Sequence, residues 1–293
     1  MEINGIVLLD KPQGRTSHDM VNAIRRLAGT RRVGHTGTLD PIATGVLPIV
    51  IGNATKAAEI LTCETKEYEA ELIFGAATDT GDCEGEIIKS GRIDISETEI
   101  EAAADSLKGN MQQIPPMYSA KKHNGRKLYE LAREGKTVER EPVRITVYDV
   151  SVISVNPAEH SARIRVSCSK GTYIRALCEE LGERIGTCAY MSALRRTASG
   201  SFKISECRTL SELAQMAEEG RFQDSVIPVD KLFGYEKITL SDKQSQRIKN
   251  GVFVSHPGIS DGERYSVYAS GGEFIALADC IDGRLHIYKS FWT

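Results

Sequence analysis

The chain has 293 residues, 41% of them hydrophobic and 26% charged, with a formal net charge of −3. This composition excludes collagen-like, low-complexity and wholly disordered chains, and the length allows a large domain plus a small one. The apolar run at residues 6–9 is too short for a signal-peptide core, and no stretch nears the roughly 20 apolar residues of a membrane helix. A cytoplasmic protein without a membrane partner is expected.

In chain order, residues 6–9 read as a short strand, followed by a turn at Pro12 and Gly14. A helix comes next, with Ser17 as its N-cap, Met20, Val21, Ile24 and Leu27 on one face, and Gly29 as its stop. A segment rich in glycine and threonine, 34–45, leads into an apolar run at 46–51. Tyr68, Ala70, Leu72 and Phe74 alternate as in a half-buried strand. Ser96 and Glu99 form a capping box for a helix that Gly109 ends. Asn124-Gly125 signals a tight turn, and a short helix through Leu128 and Leu131 follows it. Residues 143–155 and 162–168 read as strands. Ile174, Leu177, Leu181 and Ile185 mark a helix that stops at Gly186, and Thr209 with Glu212 caps another. Beyond residue 233 the texture changes to one short helix and several short strands split by turns. Strands and helices intersperse without regular alternation, which predicts an α/β (α+β) fold around a mixed sheet. The expected domains are 1–233 and a small β-rich module, 234–293.

Seven cysteines, an odd number without a C-x-x-C pair, argue against a disulfide framework or a zinc site. Cys168, Cys178 and Cys188 are evenly spaced but have no histidine at ligand spacing, so unpaired thiols and no metal are expected. Charge is unevenly spread. Residues 11–36 hold six basic side chains and one acid, Asp19, and residues 117–127 hold Lys121, Lys122, Arg126 and Lys127 with no acid. Acids gather at 82–105. A bipolar chain can bind phosphates with one face while its total charge stays negative.

The densest segment is Gly34-His35-Thr36-Gly37-Thr38-Leu39-Asp40-Pro41-Ile42-Ala43-Thr44-Gly45. Its glycines permit sharp turns and close approach of a ligand to backbone. Pro41 pushes Asp40 toward an extended conformation, narrowing where its carboxylate can point. One carboxylate on a rigid loop suits a nucleophile or a base.

This segment resembles the catalytic motif of the TruB family of tRNA pseudouridine synthases. Further motifs follow in family order between about residues 5 and 203. Leu9-Asp10-Lys11-Pro12 with Gly14 and Ser17 resembles the N-terminal motif. Lys66-x-Tyr68 and Thr78-Asp79-Thr80 resemble the second region. Pro116-x-Tyr118-Ser119-Ala120 with residues 125–131 resembles the RNA-clasping thumb loop. Ser169-Lys170-Gly171-Thr172-Tyr173-Ile174-Arg175 resembles the motif that holds the aspartate's arginine, and Leu194-Arg195-Arg196 completes the set.

The resemblance implies a largely antiparallel pseudouridine synthase sheet, a PUA-like RNA-binding module at 234–293, and conversion of uridine 55 in the T-loop of tRNA. The reaction is an isomerisation, so no cofactor is implied. Asp40 is the expected catalytic residue, attacking the ribose anomeric carbon or uracil C6, or taking the 2′ proton. Arg175 is expected to hold Asp40 in two-point geometry and keep it ionised. Tyr68 is placed against the uracil face, where an aromatic ring replaces lost stacking. The resemblance adds Tyr173 and Leu194 to the pocket, Lys11 and Pro12 as supports, and His35 as a wedge in the gap left by the flipped base. Lys121, Lys122, Arg126 and Lys127 would contact the T-arm of tRNA from the clasp. No obligate protein partner is implied, and a monomer is expected. Two rival readings are an RNA-binding protein that has lost catalysis and a carboxylate nucleoside hydrolase. A hydrolase usually needs a second catalytic carboxylate or an acidic metal cluster.

Overall fold

The computed structural model describes residues 3–62 and 65–292; Cys63 lies outside them. Its main sheet has ten strands. The eight along its path run, edge to edge, Arg208–Thr209, Gly5–Lys11, Thr44–Ile51, Ala189–Ser199, Thr65–Phe74, Ser161–Ser169, Val143–Asn156 and Gly109–Gln113. Val33–His35 and Phe202–Lys203 pair alongside. Pairing is antiparallel except at two junctions, Gly5–Lys11 with Arg208–Thr209 and Thr44–Ile51 with Ala189–Ser199. The sheet is therefore mixed and largely antiparallel.

The strand Gly5–Lys11 shows why an unbroken apolar run reads as a strand covered on both faces. Val7 and Leu9 enter one core, with Met20, Val21 and Ile24 of the helix Ser17–Ala28 and with Leu177 and Leu181 of the helix Ile174–Ile185. Ile6 and Leu8 point the other way into a second cluster with Val50, Phe202, Leu277 and Phe291. Leu277 and Phe291 come from the far end of the chain. The second sheet, Glu236–Thr239, Arg264–Tyr268, Phe274–Ile281 and Arg284–Ser290, thus packs on the back of the first. It also keeps its own core, including Ile238, Val267, Ile275 and Leu285.

Local signals account for most helix ends. Ser96 caps Glu97–Ser106 and Thr209 caps Leu210–Glu218, each with a reciprocal capping box. Gly29 and Gly186 end their helices in the left-handed region, at φ 62° and 82°. Two boundaries differ from expectation. Thr16, not Ser17, caps the first helix, because Asp19 closes the box onto Thr16 and leaves the Ser17 hydroxyl for another partner. The helix capped by Ser96 ends at Ser106, and Gly109 instead opens the edge strand Gly109–Gln113.

The clasp region forms a two-residue hairpin, Lys122–His123 with Arg126–Lys127, turning through Asn124 at φ 49° and Gly125 at φ 85°. Both values suit the Asn-Gly turn read from sequence. The helix Leu128–Arg133 follows, with Leu128 and Leu131 buried. Among the described residues six cysteines are free, and no helix is long and apolar enough to cross a membrane.

Candidate active site

Asp40 lies on the loop between Val33–His35 and Thr44–Ile51, and three buried side chains pin that loop's backbone. The Ser17 hydroxyl accepts from Leu39 N at 2.8 Å and donates to Leu39 O at 3.1 Å. Lys11, with no solvent exposure, donates through Nζ to the carbonyls of Pro41 (3.2 Å), Arg15 (2.6 Å) and Pro12 (2.9 Å). Arg196, 1% exposed, donates to Val46 O at 2.7 Å, Gly37 O at 3.2 Å and Thr38 O at 3.4 Å. The loop is therefore held from the first strand, the first helix and the central strand of the sheet, Ala189–Ser199, together.

Gly45 lets the loop end meet the central strand. Its φ is +104°, and a Cβ there would lie 2.2 Å from Arg196 O and 2.8 Å from Arg196 N. Backbone cannot give way as a side-chain tip can. Gly45→Ala is expected to cost roughly 3 kcal/mol or more through strain and overpacking. A thermal melt shows this as a large fall in midpoint or a failure to fold.

Burial pushes the Lys11 ammonium down to about 8, against the nearby charges of Asp40 and Asp19. Below about pH 8 the lysine is charged in both folded and unfolded chains, and its burial cost is fully present. Between 8 and 10.5 the unfolded chain holds more protons, so this lysine's contribution to stability rises with pH. Denaturant melts should show wild type gaining on Lys11→Met across that window. A flat difference would contradict it.

Arg175 sits at the start of Ile174–Ile185 with its side chain 5% exposed. Its Nε lies 3.1 Å from Asp40 Oδ2, and Asp40 keeps 36% of its side-chain surface open. The pair is single-point rather than two-point. The other guanidinium nitrogens are engaged elsewhere: Nη1 with Thr80 O at 2.9 Å and Asp82 Oδ2 at 3.4 Å, Nη2 with Tyr118 O at 2.7 Å. Asp82, 4% exposed, is the member of this group that sequence reasoning missed as a partner. Its Oδ1 accepts from Thr80 Oγ1 (2.7 Å) and Glu84 N (3.1 Å), and its turn is bridged to Met191 of the central strand. Burial raises the Asp40 carboxyl above its ordinary 3.8, Asp82 adds to the rise, and Arg175 and Lys11 oppose it. Arg175 alone therefore does not set the ionisation of Asp40.

These groups meet at a pocket of about 270 Å³ lined by Asp40, Tyr68, Tyr173, Arg175 and Leu194, among others. Tyr68 and Arg196 are direct partners on neighbouring strands. Tyr68 is 8% exposed, and burial holds its phenol above the ordinary value despite Arg196. The Tyr173 peptide is gripped twice by Gln113, which donates to its carbonyl at 3.0 Å and accepts from its N–H at 2.8 Å. A more open hollow of about 490 Å³ lies beside Tyr235, Arg264 and Asp279 on the second sheet. There Arg264 and Asp279 satisfy each other at 2.5 Å, and Glu263 on the same wall is exposed to solvent.

Other expected residues stand apart from this pocket. Lys11 and Pro12 lie behind the loop; the Pro12 ring is exposed and its carbonyl accepts from Lys11. His35 is half-buried on Val33–His35, its Nδ1 without a partner, and burial together with Arg196 and His18 lowers its imidazole below 6.5. Lys121, Lys122, Arg126 and Lys127 do not line the pocket, which the clasp reaches through Ser119 and Ala120. Arg126 is ion-paired with Glu134, Lys121 bonds Glu141 O at 3.3 Å, and Lys127 lies 5.4 Å from the Tyr129 ring centre. Three of these four cations therefore have partners on the clasp or beside it.

The family model of the TruB family pseudouridylate synthase (N terminal domain) matches residues 25–174, and that of the tRNA pseudouridylate synthase B C-terminal domain matches residues 175–233. The second match ends just before the small sheet begins at Glu236. The tRNA pseudouridine synthase B of Geobacillus thermodenitrificans is 48% identical over 262 residues, covering 87% of both chains. That of Bacillus subtilis is 43% identical over 285 residues, covering 94% of this chain and 92% of its own. Among solved structures, a Cbf5-Nop10-Gar1 complex contains a chain of 26% identity that superposes with a TM-score of 0.71, covering 98% of this chain and 85% of that one. Two family domains in tandem and relatives this similar over nearly the whole length settle the lineage: the chain belongs to the TruB family of pseudouridylate synthases.

Proposed function

We propose that this protein converts uridine 55 in the T-loop of tRNA to pseudouridine. The carrying observation is the Asp40–Arg175 pair opening onto a pocket walled by Tyr68 and Leu194. The pocket accepts one flipped base, with Tyr68 against its face in place of the stack it left. The N1–C1′ bond breaks, uracil turns, and C1′ bonds to C5; N1 gains a proton and C5 releases one to solvent. Asp40 attacks C1′, attacks C6 or takes the 2′ proton, and each route needs its ionised form. Arg175 orients it, and Lys11 and Pro12 support its loop from behind. Tyr173 forms the far wall, and His35 fills the space the base leaves in the RNA. Lys121, Lys122, Arg126 and Lys127 bring the clasp to T-arm phosphates, exchanging their present partners for RNA.

The catalytic domain is assigned to 1–233 and a PUA-like RNA-binding domain to 234–293. The enzyme acts as a monomer without a protein partner, which fits an enzyme that clasps its RNA directly. The deciding experiment incubates the protein with an unmodified tRNA transcript tritiated at uracil C5. Tritium release in step with loss of that uridine is expected. Release of free uracil would indicate a hydrolase, and tight binding without release an RNA-binding protein.

A further inference from the structure

Nine buried side-chain nitrogen or oxygen atoms among the described residues have no hydrogen-bond partner within the protein. Only Thr36 Oγ1 and Ser119 Oγ belong to residues that line the Asp40 pocket. The two residues are 3% and 5% exposed. They come from different parts of the chain. Thr36 is on the Asp40 loop, its N–H bonded to Pro48 O at 3.2 Å. Ser119 is on the clasp, next to the Tyr118 carbonyl that receives Arg175 Nη2. A buried hydroxyl without a partner weakens a folded state and calls for an explanation. Two of them at one pocket, on opposing segments, suit a site whose ligand supplies the missing partners. The pocket's arginines are engaged elsewhere, Arg175 with Asp40, Asp82 and two carbonyls and Arg196 with three carbonyls.

We propose that Thr36 and Ser119 are substrate-contacting residues whose hydroxyls hydrogen-bond the polar edge of the target uridine. Both oxygens are closed off from solvent in the free protein. A χ1 rotation between staggered wells re-aims each of them without moving backbone. The ligand chemistry is that of a uridine nucleotide, with carbonyl and hydroxyl oxygens that accept and an N3–H that donates. Tyr68 and Leu194 cover the faces of the base, and the two hydroxyls read its edge. Such edge bonds discriminate strongly, because a wrong base leaves the site's polar groups unpaired. Ser119 also makes the clasp part of the pocket, where the neighbouring Tyr118 carbonyl ties it to Arg175. This inference rests on the synthase reading above.

The test compares Thr36→Val, Thr36→Ser and Ser119→Ala with wild type in the free enzyme's thermal midpoint and in single-turnover tritium release at saturating tRNA transcript. Valine keeps the shape of threonine without the hydroxyl; serine keeps the hydroxyl without the methyl. Thr36→Val and Ser119→Ala are expected to melt no lower than wild type, since each removes an unpartnered group. Each should slow release about 3- to 30-fold, the loss of one hydrogen bond made only with substrate. Thr36→Ser should stay within about twofold of wild type in release, whatever packing it loses. Unchanged release in the valine and alanine variants overturns the inference. So does slowing that is matched by a fall in melting midpoint and shared equally by Thr36→Ser, which indicates packing. An inactive wild type would instead sink the synthase reading itself.

Discussion

Asp40→Asn should abolish tritium release from C5-labelled tRNA, by about a thousandfold or more, while RNA binding stays near wild type. The asparagine keeps shape and loses the charge that every route through Asp40 uses. Binding survives because the loop does not depend on that carboxylate: Ser17, Lys11 and Arg196 hold its backbone through Leu39, Pro41, Gly37 and Thr38. Loss of binding in parallel with loss of activity would mean that Asp40 is structural. The rate of the wild type should also fall as pH drops. The acid limb of its profile belongs above 3.8, since burial and Asp82 together raise the Asp40 carboxyl. An acid limb below that value would contradict the geometry.

Arg175→Met should damage both activity and stability. The guanidinium joins four segments: Asp40, the turn at Thr80 and Asp82, the clasp at Tyr118, and its own helix. Its removal leaves Asp82 buried without its cation and frees two carbonyls. Truncating one partner of a buried ion pair costs about 3–5 kcal/mol, and the open side of Asp40 moderates this to roughly 2–4 kcal/mol. Release of tritium should fall at least about a hundredfold, because Asp40 loses the group that aims it. The arginine opposes the rise in the Asp40 carboxyl, so any residual activity should show its acid limb at higher pH. Arg175→Lys should rescue little: an ammonium on a flexible stem cannot reach four partners in a plane. A variant that melts like wild type and retains its rate would remove Arg175 from the mechanism.

The loop that carries Asp40 was legible in the sequence as a constrained turn because its signals are local. Glycines, proline and carboxylate lie within twelve consecutive residues, and their conformational limits act on neighbours along the chain. Strand alternation around Tyr68 and the boxes at Ser96 and Thr209 were legible for the same reason, as periods and caps are short-range. The central strand Ala189–Ser199 was not. With Arg195 and Arg196 side by side it reads as polar, yet it lies in the middle of the sheet and carries Leu194 to the pocket. Its arginines tolerate that place only because distant partners meet them, Asp10 at 2.7 Å for Arg195 and the carbonyls of Gly37 and Val46 for Arg196.

Ser17 and Asp82 carry the same lesson. Ser17 looked like a helix cap until Thr16 took that role and freed its hydroxyl for Leu39. Asp82 became a partner of Arg175 only when its turn was bridged to Met191. By itself the sequence determined the constrained Asp40 loop, the alternating strand around Tyr68 and the helix that opens near Arg175, and its family resemblance nominated those three side chains for the chemistry. Tertiary structure decided how Arg175 divides its bonds and which buried groups hold the Asp40 loop. Hydrogen bonds among buried polar groups depend on where segments far apart in sequence are packed, and no local pattern encodes that placement.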